Sequence, residues 1–246
     1  MAVIFKNVSK SFKEHKALEH TNLTIEDGKT TVLIGPSGCG KSTLLRLIVG
    51  LIRPTEGQIF FDNEEVNDGT INDLRKKIGY VIQDGGLFPH LNVRDNVSLF
   101  ARFLGYPSHV IEERIIFFSE LVKLPLEILN SYPLEISGGE RQRVSIMRAL
   151  MLNPDYILLD EPLAALDPII RFELQAQLKQ IFSCLRKTVI LVTHDMREAA
   201  YLGNEIILMR HGKIIQKGSF QDLVRSPKDP FVTDFIQAQQ CSIELT

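Results

Sequence analysis

Residues 35–43 read GPSGCGKST, which places Gly35, Gly40, Lys41 and Ser42 in the spacing G-x-x-x-x-G-K-[S/T]. The apolar run TTVLI (30–34) precedes them, and a helical pattern over about 42–51 follows. Strand, glycine loop and helix form the context in which this spacing binds phosphate. The glycines let backbone N–H groups turn inward around phosphate oxygens, and the helix N-terminus adds partial positive charge. Lys41 can reach β- and γ-phosphates, and the Ser42 hydroxyl can bind Mg²⁺. Pro36, Ser37, Gly38, Cys39 and Thr43 complete the loop. Cys39 serves there as a small residue, through which a thiol reagent could block the site.

A second group of chemically capable residues lies at the ends of apolar runs. YILLDEP (156–162) finishes on two acids. An unpaired carboxylate at the end of a buried strand is costly, and Mg²⁺ is a natural partner for Asp160. Glu161 is then placed to act as general base on an attacking water. The other reading is a pair of acids that cap the next helix. TVILVTHD (188–195) puts His194 after a third apolar run, and KIGYVIQ ends on Gln83. Ligands of open parallel sheets bind at the carboxyl ends of the strands, so Gly35, Asp160 and His194 fall on one edge, where Gln83 can join them.

A third stretch, ISGGERQR (136–143), has two glycines where a helix should begin. Ser137 and Glu140 form S-x-x-E, a capping box. That accounts for neither Gly138 nor Gly139, which are poor helix formers. Glycine here points to close backbone approach by a ligand. A serine hydroxyl, bare N–H groups and a helix N-terminus make an anion site. Spacing alone leaves open whose anion it holds.

The elements that must position these groups follow from hydrophobic period. Strands are expected at 2–8, 17–26, 30–34, 58–61, 77–82, 156–160 and 188–193. EIILMR and KIIQKG form a hairpin around His211 and Gly212. Helices are expected over 92–122, with a break at GYPS (105–108), and over 138–152. Another covers 169–185, with Leu174, Leu178, Ile181 and Leu185 on one face. Short helices close the chain. Strands alternating with helices imply a parallel sheet covered on both faces, and the antiparallel pieces at the two ends suggest a side sheet. The 246 residues are 44% hydrophobic and 24% charged with net charge −2, an ordinary globular composition without a basic surface for nucleic acid. Three scattered cysteines argue against a disulfide framework or zinc site. No signal peptide and no membrane span is recognisable.

Taken in order, these motifs resemble the nucleotide-binding subunit of an ABC transporter over residues 2 to about 237. GPSGCGKST looks like its Walker A motif, Gln83 its Q-loop, ISGGERQR its signature and YILLDEP its Walker B. AALD (164–167), ending on Asp167, looks like its D-loop, and His194 like its H-loop histidine. Phe12 in SKSF matches the aromatic that stacks on adenine, where tyrosine is commoner. The resemblance implies an α/β fold: a RecA-like P-loop NTPase core, an antiparallel β subdomain and an inserted α-helical subdomain at about 88–152. It implies a single domain over 1–237 with a tail at 238–246. It also implies ATP and Mg²⁺, the latter held by Ser42, Gln83 and Asp160. Lys41, Gln83, Glu161 and His194 carry hydrolysis. The implied assembly is a homodimer or paired ATPase subunits. Each ATP lies between one copy's residues 35–43 and the other's Ser137, Gly138, Gly139 and Glu140. Integral membrane permease subunits and a solute-binding protein are the further partners. GGLFPHLNV (85–93) would line the permease groove unless Leu87, Phe88 and Leu91 are simply buried. The implied location is peripheral, on the cytoplasmic face of the inner or plasma membrane.

Two other function classes fit less well. Relatives that act in translation carry two motif sets, and this chain has one. Repair-type relatives insert a long coiled coil between Q-loop and signature, whereas 53 residues without heptads separate Gln83 from Ser137 here. A non-hydrolysing binding module would not need Lys41, Glu161 and His194. RKKIGYVIQDGGLFPHLNV and LDPIIRFELQ look like ATPases of quaternary-amine (glycine betaine, choline, osmoprotectant) importers, with polar amino acid import as runner-up. Asp84 and Glu140 depart from that pattern, since glutamine is usual at both. The C-terminal CBS domains common in that subgroup are also not seen.

Overall fold

The computed structural model describes residues 2–83, 85–164 and 166–241. Asp84, Ala165 of the AALD motif and residues 242–246 of the tail lie outside the described residues.

In chain order the strands are β1 (Val3–Phe12), β2 (His15–Ile25), β3 (Thr30–Ile34), β4 (Glu56–Phe61) and β5 (Glu64–Glu65). They continue with β6 (Ile78–Val81), β7 (Tyr156–Asp160), β8 (Thr188–Val192), β9 (Glu205–Arg210) and β10 (Lys213–Gly218). The helices are α1 (Lys41–Ile48), α2 (Ile71–Lys76), α3 (Val93–Phe103), α4 (Ser108–Leu121) and α5 (Gly138–Leu150). After them come α6 (Pro168–Leu185), α7 (Met196–Leu202), α8 (Phe220–Arg225) and α9 (Pro230–Cys241). The chain divides into two compact units, one made of the residues up to Arg75 with those from Thr188 onward, the other of Lys76–Lys187.

In the first unit, β2, β1, β4 and β5 form an antiparallel sheet. Register shifts carry β1 on through Ser9–Phe12, beyond the strand expected at 2–8. β3, β8 and β9 pair in parallel, and β10 adds antiparallel to β9. The side sheet is therefore built from the N-terminal pieces only, against the expectation that both ends supply it. The reason is burial: Ile206–Met209 are wholly buried, the mark of a strand covered on both faces, so β9 takes its place beside β3. β3 and β8 are buried at every position. Two helices, α2 and α7, have no counterpart in the sequence reading. Both are short, and α7 is held by its cap: Asp195 accepts from Arg197 and Glu198 N–H.

In the second unit, β6 and β7 pair in parallel. Helices occupy 93–103, 108–121 and 138–150, with Gly105 at positive φ in the expected break. Asn92 caps α3 by accepting from Asp95 N–H at 2.8 Å. Asp167 caps α6 in the same way through Ile169 and Ile170 N–H. On α6, Leu174, Leu178 and Ile181 are buried as the period implies, while Phe182 rather than Leu185 is the fourth buried apolar residue.

Candidate functional site

Strand β3 delivers the chain to Gly35, whose φ of 151° belongs to glycine. A Cβ there would lie 2.2 Å from the Met209 carbonyl oxygen, so no other residue fits. A Cβ on Gly40, at φ 110°, would likewise lie 2.5 Å from the Ala17 carbonyl oxygen. The loop is thus pressed against β9 and β2, while Pro36, Ser37 and Gly38 are exposed. Helix α1 starts at Lys41 without a side-chain cap. The start of α1 is the positive end of its helix dipole. Lys41 is buried, and its Nζ donates to the carbonyls of Gly35 at 2.8 Å and Pro36 at 3.0 Å. Ser42 and Thr43 are half-buried behind it.

Cys39 is buried, and burial pushes its thiol up from the ordinary value against the pull of the nearby Lys41 ammonium. A thiol held protonated and covered is a poor nucleophile, so the structure makes Cys39 less open to reagents than its loop position implies.

His194 is exposed two residues beyond Val192, the register partner of Leu33, while Gly35 lies two residues beyond Leu33. Gly35 and His194 therefore leave adjacent parallel strands at the same edge. Thr193 holds the intervening turn, donating to Glu198 at 2.6 Å and accepting from Asp195 N–H at 3.1 Å. Phe12 ends β1 opposite His15, two residues from the Ala17 that abuts Gly40, so it sits at the loop end of that hairpin. Its ring is 44% exposed, with the Lys10 ammonium 5.0 Å from the centroid.

The second unit repeats the edge geometry. Val81 and Leu159 are register partners, and two residues on come Gln83 and Glu161. Strand β6 ends at Val81, so Gln83 lies in the following turn instead of ending the strand. Asp160 is buried at the end of β7. Glu161 holds φ 47°, a left-handed conformation uncommon outside glycine. Gln83, Gly138 and Glu161 line one cavity of about 340 Å³ with Arg141, Gln142 and Leu166. Arg141 and Gln142 escaped the sequence reading. The available signal was helical period, since they follow Gly138 by three and four residues. A separate cavity of about 260 Å³, lined by Leu47, Ile59, Val66 and Ile71, holds none of these groups.

At ISGGERQR the capping box is present. Ser137 Oγ accepts from Glu140 N–H at 3.3 Å, and Glu140 accepts from Ser137 N–H at 2.7 Å. Hydrogen bonding to the carboxyl from the Ser137 side chain, and then from its backbone N–H, holds Glu140 below its ordinary range. The two glycines separate in role. A Cβ on Gly139 would lie 2.7 Å from Ile170 Cγ2, so packing against α6 accounts for it. Gly138 meets nothing nearer than 3.7 Å, leaving its face of the helix start open. Asp167, exposed, spends its carboxylate on capping α6.

Residues 18–164, more than half of the chain, match the profile of the ABC transporter family. The chain is 45% identical over 94% of its length to the choline transport ATP-binding protein of Bacillus subtilis (strain 168), and it spans 61% of that protein's length. It is 42% identical over 96% of its length to the probable sulfate/thiosulfate import ATP-binding protein of Chlorella vulgaris, spanning 99% of it. Its fold matches, with a TM-score of 0.80 and 35% identity, the dimeric post-hydrolysis state of an ATP-binding cassette bound to ADP and Pi, over 88% of this chain and 98% of that one. A mixed α/β fold with one antiparallel and one mostly parallel sheet, an exposed glycine loop after β3 and these relatives agree: the chain belongs to the ABC transporter family.

Proposed function

We propose that this chain is the ATP-hydrolysing subunit of an importer for a quaternary amine such as choline, working as a dimer on separate membrane permease subunits and served by a solute-binding protein. The observation that carries hydrolysis is the pairing of Gln83 and Glu161, which leave partnered strands at one register and line one cavity. Glu161 takes the proton of the attacking water, and the Gln83 amide orients that water. The loop N–H groups and Lys41 hold the phosphates, His194 contacts the terminal phosphate, and Phe12 stacks on the base. The oxygen donors of Ser42, Gln83 and Asp160 suit Mg²⁺, which when bound offsets phosphate charge. Ser137, Gly138, Gly139 and Glu140, with Asp167, complete the ATP site of the second copy. Among the described residues no helix is long and apolar enough to cross a membrane. That fits a peripheral subunit on the cytoplasmic face, with 85–93 toward the permease. Phe88 is 43% exposed there, and Leu87 and Leu91 are half-buried.

Phosphate release from MgATP by the purified chain tests the reading. Glu161→Gln should lower turnover by about 10²–10⁴-fold while nucleotide affinity is kept. Near-normal turnover in that variant contradicts the assignment. The sulfate relative supports a second solute class, an oxyanion. Uptake of labelled choline and labelled sulfate by cells lacking the gene separates them, since loss of choline uptake alone is expected.

A further inference from the structure

The turn that carries Gln83 is fastened to α5. The Gly85 N–H donates to the Ile82 carbonyl at 3.0 Å, closing a turn in which Gln83 is the second residue. The Gly85 carbonyl accepts from Ser145 Oγ at 2.7 Å and from an Arg148 guanidinium N–H at 2.8 Å. A second Arg148 N–H donates to the Gly86 carbonyl, also at 2.8 Å. A planar guanidinium is suited to bridging two successive carbonyls, and its charge strengthens both bonds. The fit is close: a Cβ on Gly85 would lie 2.6 Å from Ser145 Oγ, and Gly85 and Gly86 both hold positive φ. On the far side of the same segment, buried Asn96 accepts from Phe88 N–H at 2.7 Å and donates to the Phe88 and Leu91 carbonyls.

We propose that Arg148, assisted by Ser145, is a positioning residue for hydrolysis: it fixes the Gly85–Gly86 turn on α5 and so sets where Gln83 sits in the cavity it shares with Glu161. This rests on the hydrolytic role proposed for Gln83. It also makes one rigid helix, α5, the holder of both the Gln83 turn and, about 16 Å toward its start, the Ser137 cap. A displacement of residues 85–86 is then transmitted along α5 to the residues assigned to the partner copy's ATP.

Arg148→Lys keeps the charge but offers no fork. It should lower kcat about 10-fold, as small misplacements of a reacting group do, with KM for ATP within about 2-fold. If Arg148 acts through Gln83, adding Arg148→Lys to Gln83→Ala should change nothing further; independent effects multiply. Ser145→Ala should show the same dependence at smaller size and serves if the Arg148 variant does not fold. Amide hydrogen exchange supplies a readout independent of turnover: both variants should exchange faster over 82–88 with the phosphate loop unchanged. Wild-type exchange over 82–88, a wild-type kcat, or effects that multiply with Gln83→Ala each overturn the proposal. A wild-type chain that hydrolyses no MgATP counts against the proposed function, and exchange then decides the positioning role alone.

Discussion

Glu161 combines an acidic side chain, a place just past a buried strand and a left-handed backbone at φ 47°. Residues held in such conformations cost about 1–3 kcal/mol and cluster at working sites. Glu140 has a structural role in the capping box with Ser137. Its folded carboxyl is held below the ordinary range by Ser137. A depressed carboxylate contributes stability at pH values above its unfolded value, and that contribution is lost as pH falls through the folded one. Glu140→Gln should keep the cap at neutral pH and lose less thermal stability on acidification than the wild type. Melting curves across the acid range check this, and parallel pH slopes contradict it. His194 stood out only by its place after an apolar run, whereas Lys41 and the Ser137–Glu140 capping box were legible in the sequence because each sits in a spacing with a local physical meaning. Arg148 was not, because its partners are carbonyls of glycines more than sixty residues away, and no side-chain pattern marks a carbonyl.

Elements bring distant residues onto common edges. The strands β3, β7 and β8 could be read directly, since five-residue apolar runs buried on both faces leave one assignment. The place of β9 could not. Its hairpin with β10 looked antiparallel and peripheral, and only burial of Ile206–Met209 shows why it joins the parallel strands. Helix α5 is set by what it packs against. Gly139 faces Ile170 at a distance that excludes a methyl group, although alanine is the better helix former by about 1 kcal/mol. Overpacking costs about 1–3 kcal/mol, so Gly139→Ala should lower the melting temperature despite its higher propensity. Pairing it with Ile170→Ala should remove the clash, making the double variant less destabilised than the sum of the two. Calorimetry on the four proteins measures this, and a raised melting temperature for Gly139→Ala alone would show that packing is not its reason.

For the whole molecule, the proposed function requires two copies. One chain carries the glycine loop with a buried Lys41 in its first unit and, in its second, a helix start at Ser137 with Gly138 left open. In the proposed function these are the two halves of one ATP site, which a head-to-tail pair would bring together twice. The family and its fold were legible because the motifs occur in order along nearly the whole chain. The solute was legible only as a class, through resemblance, because nothing in an ATP site contacts it. The most direct test mixes two inactive variants. Ser137→Arg fills the open helix start, and Lys41→Ala removes the phosphate contact. Each alone should bind into dimers without turnover. Mixed, they should regain ATPase activity that peaks at equal amounts, because the mixed dimer keeps one site with both halves intact. Activity that stays at the level of the separate variants at every ratio would contradict the shared site.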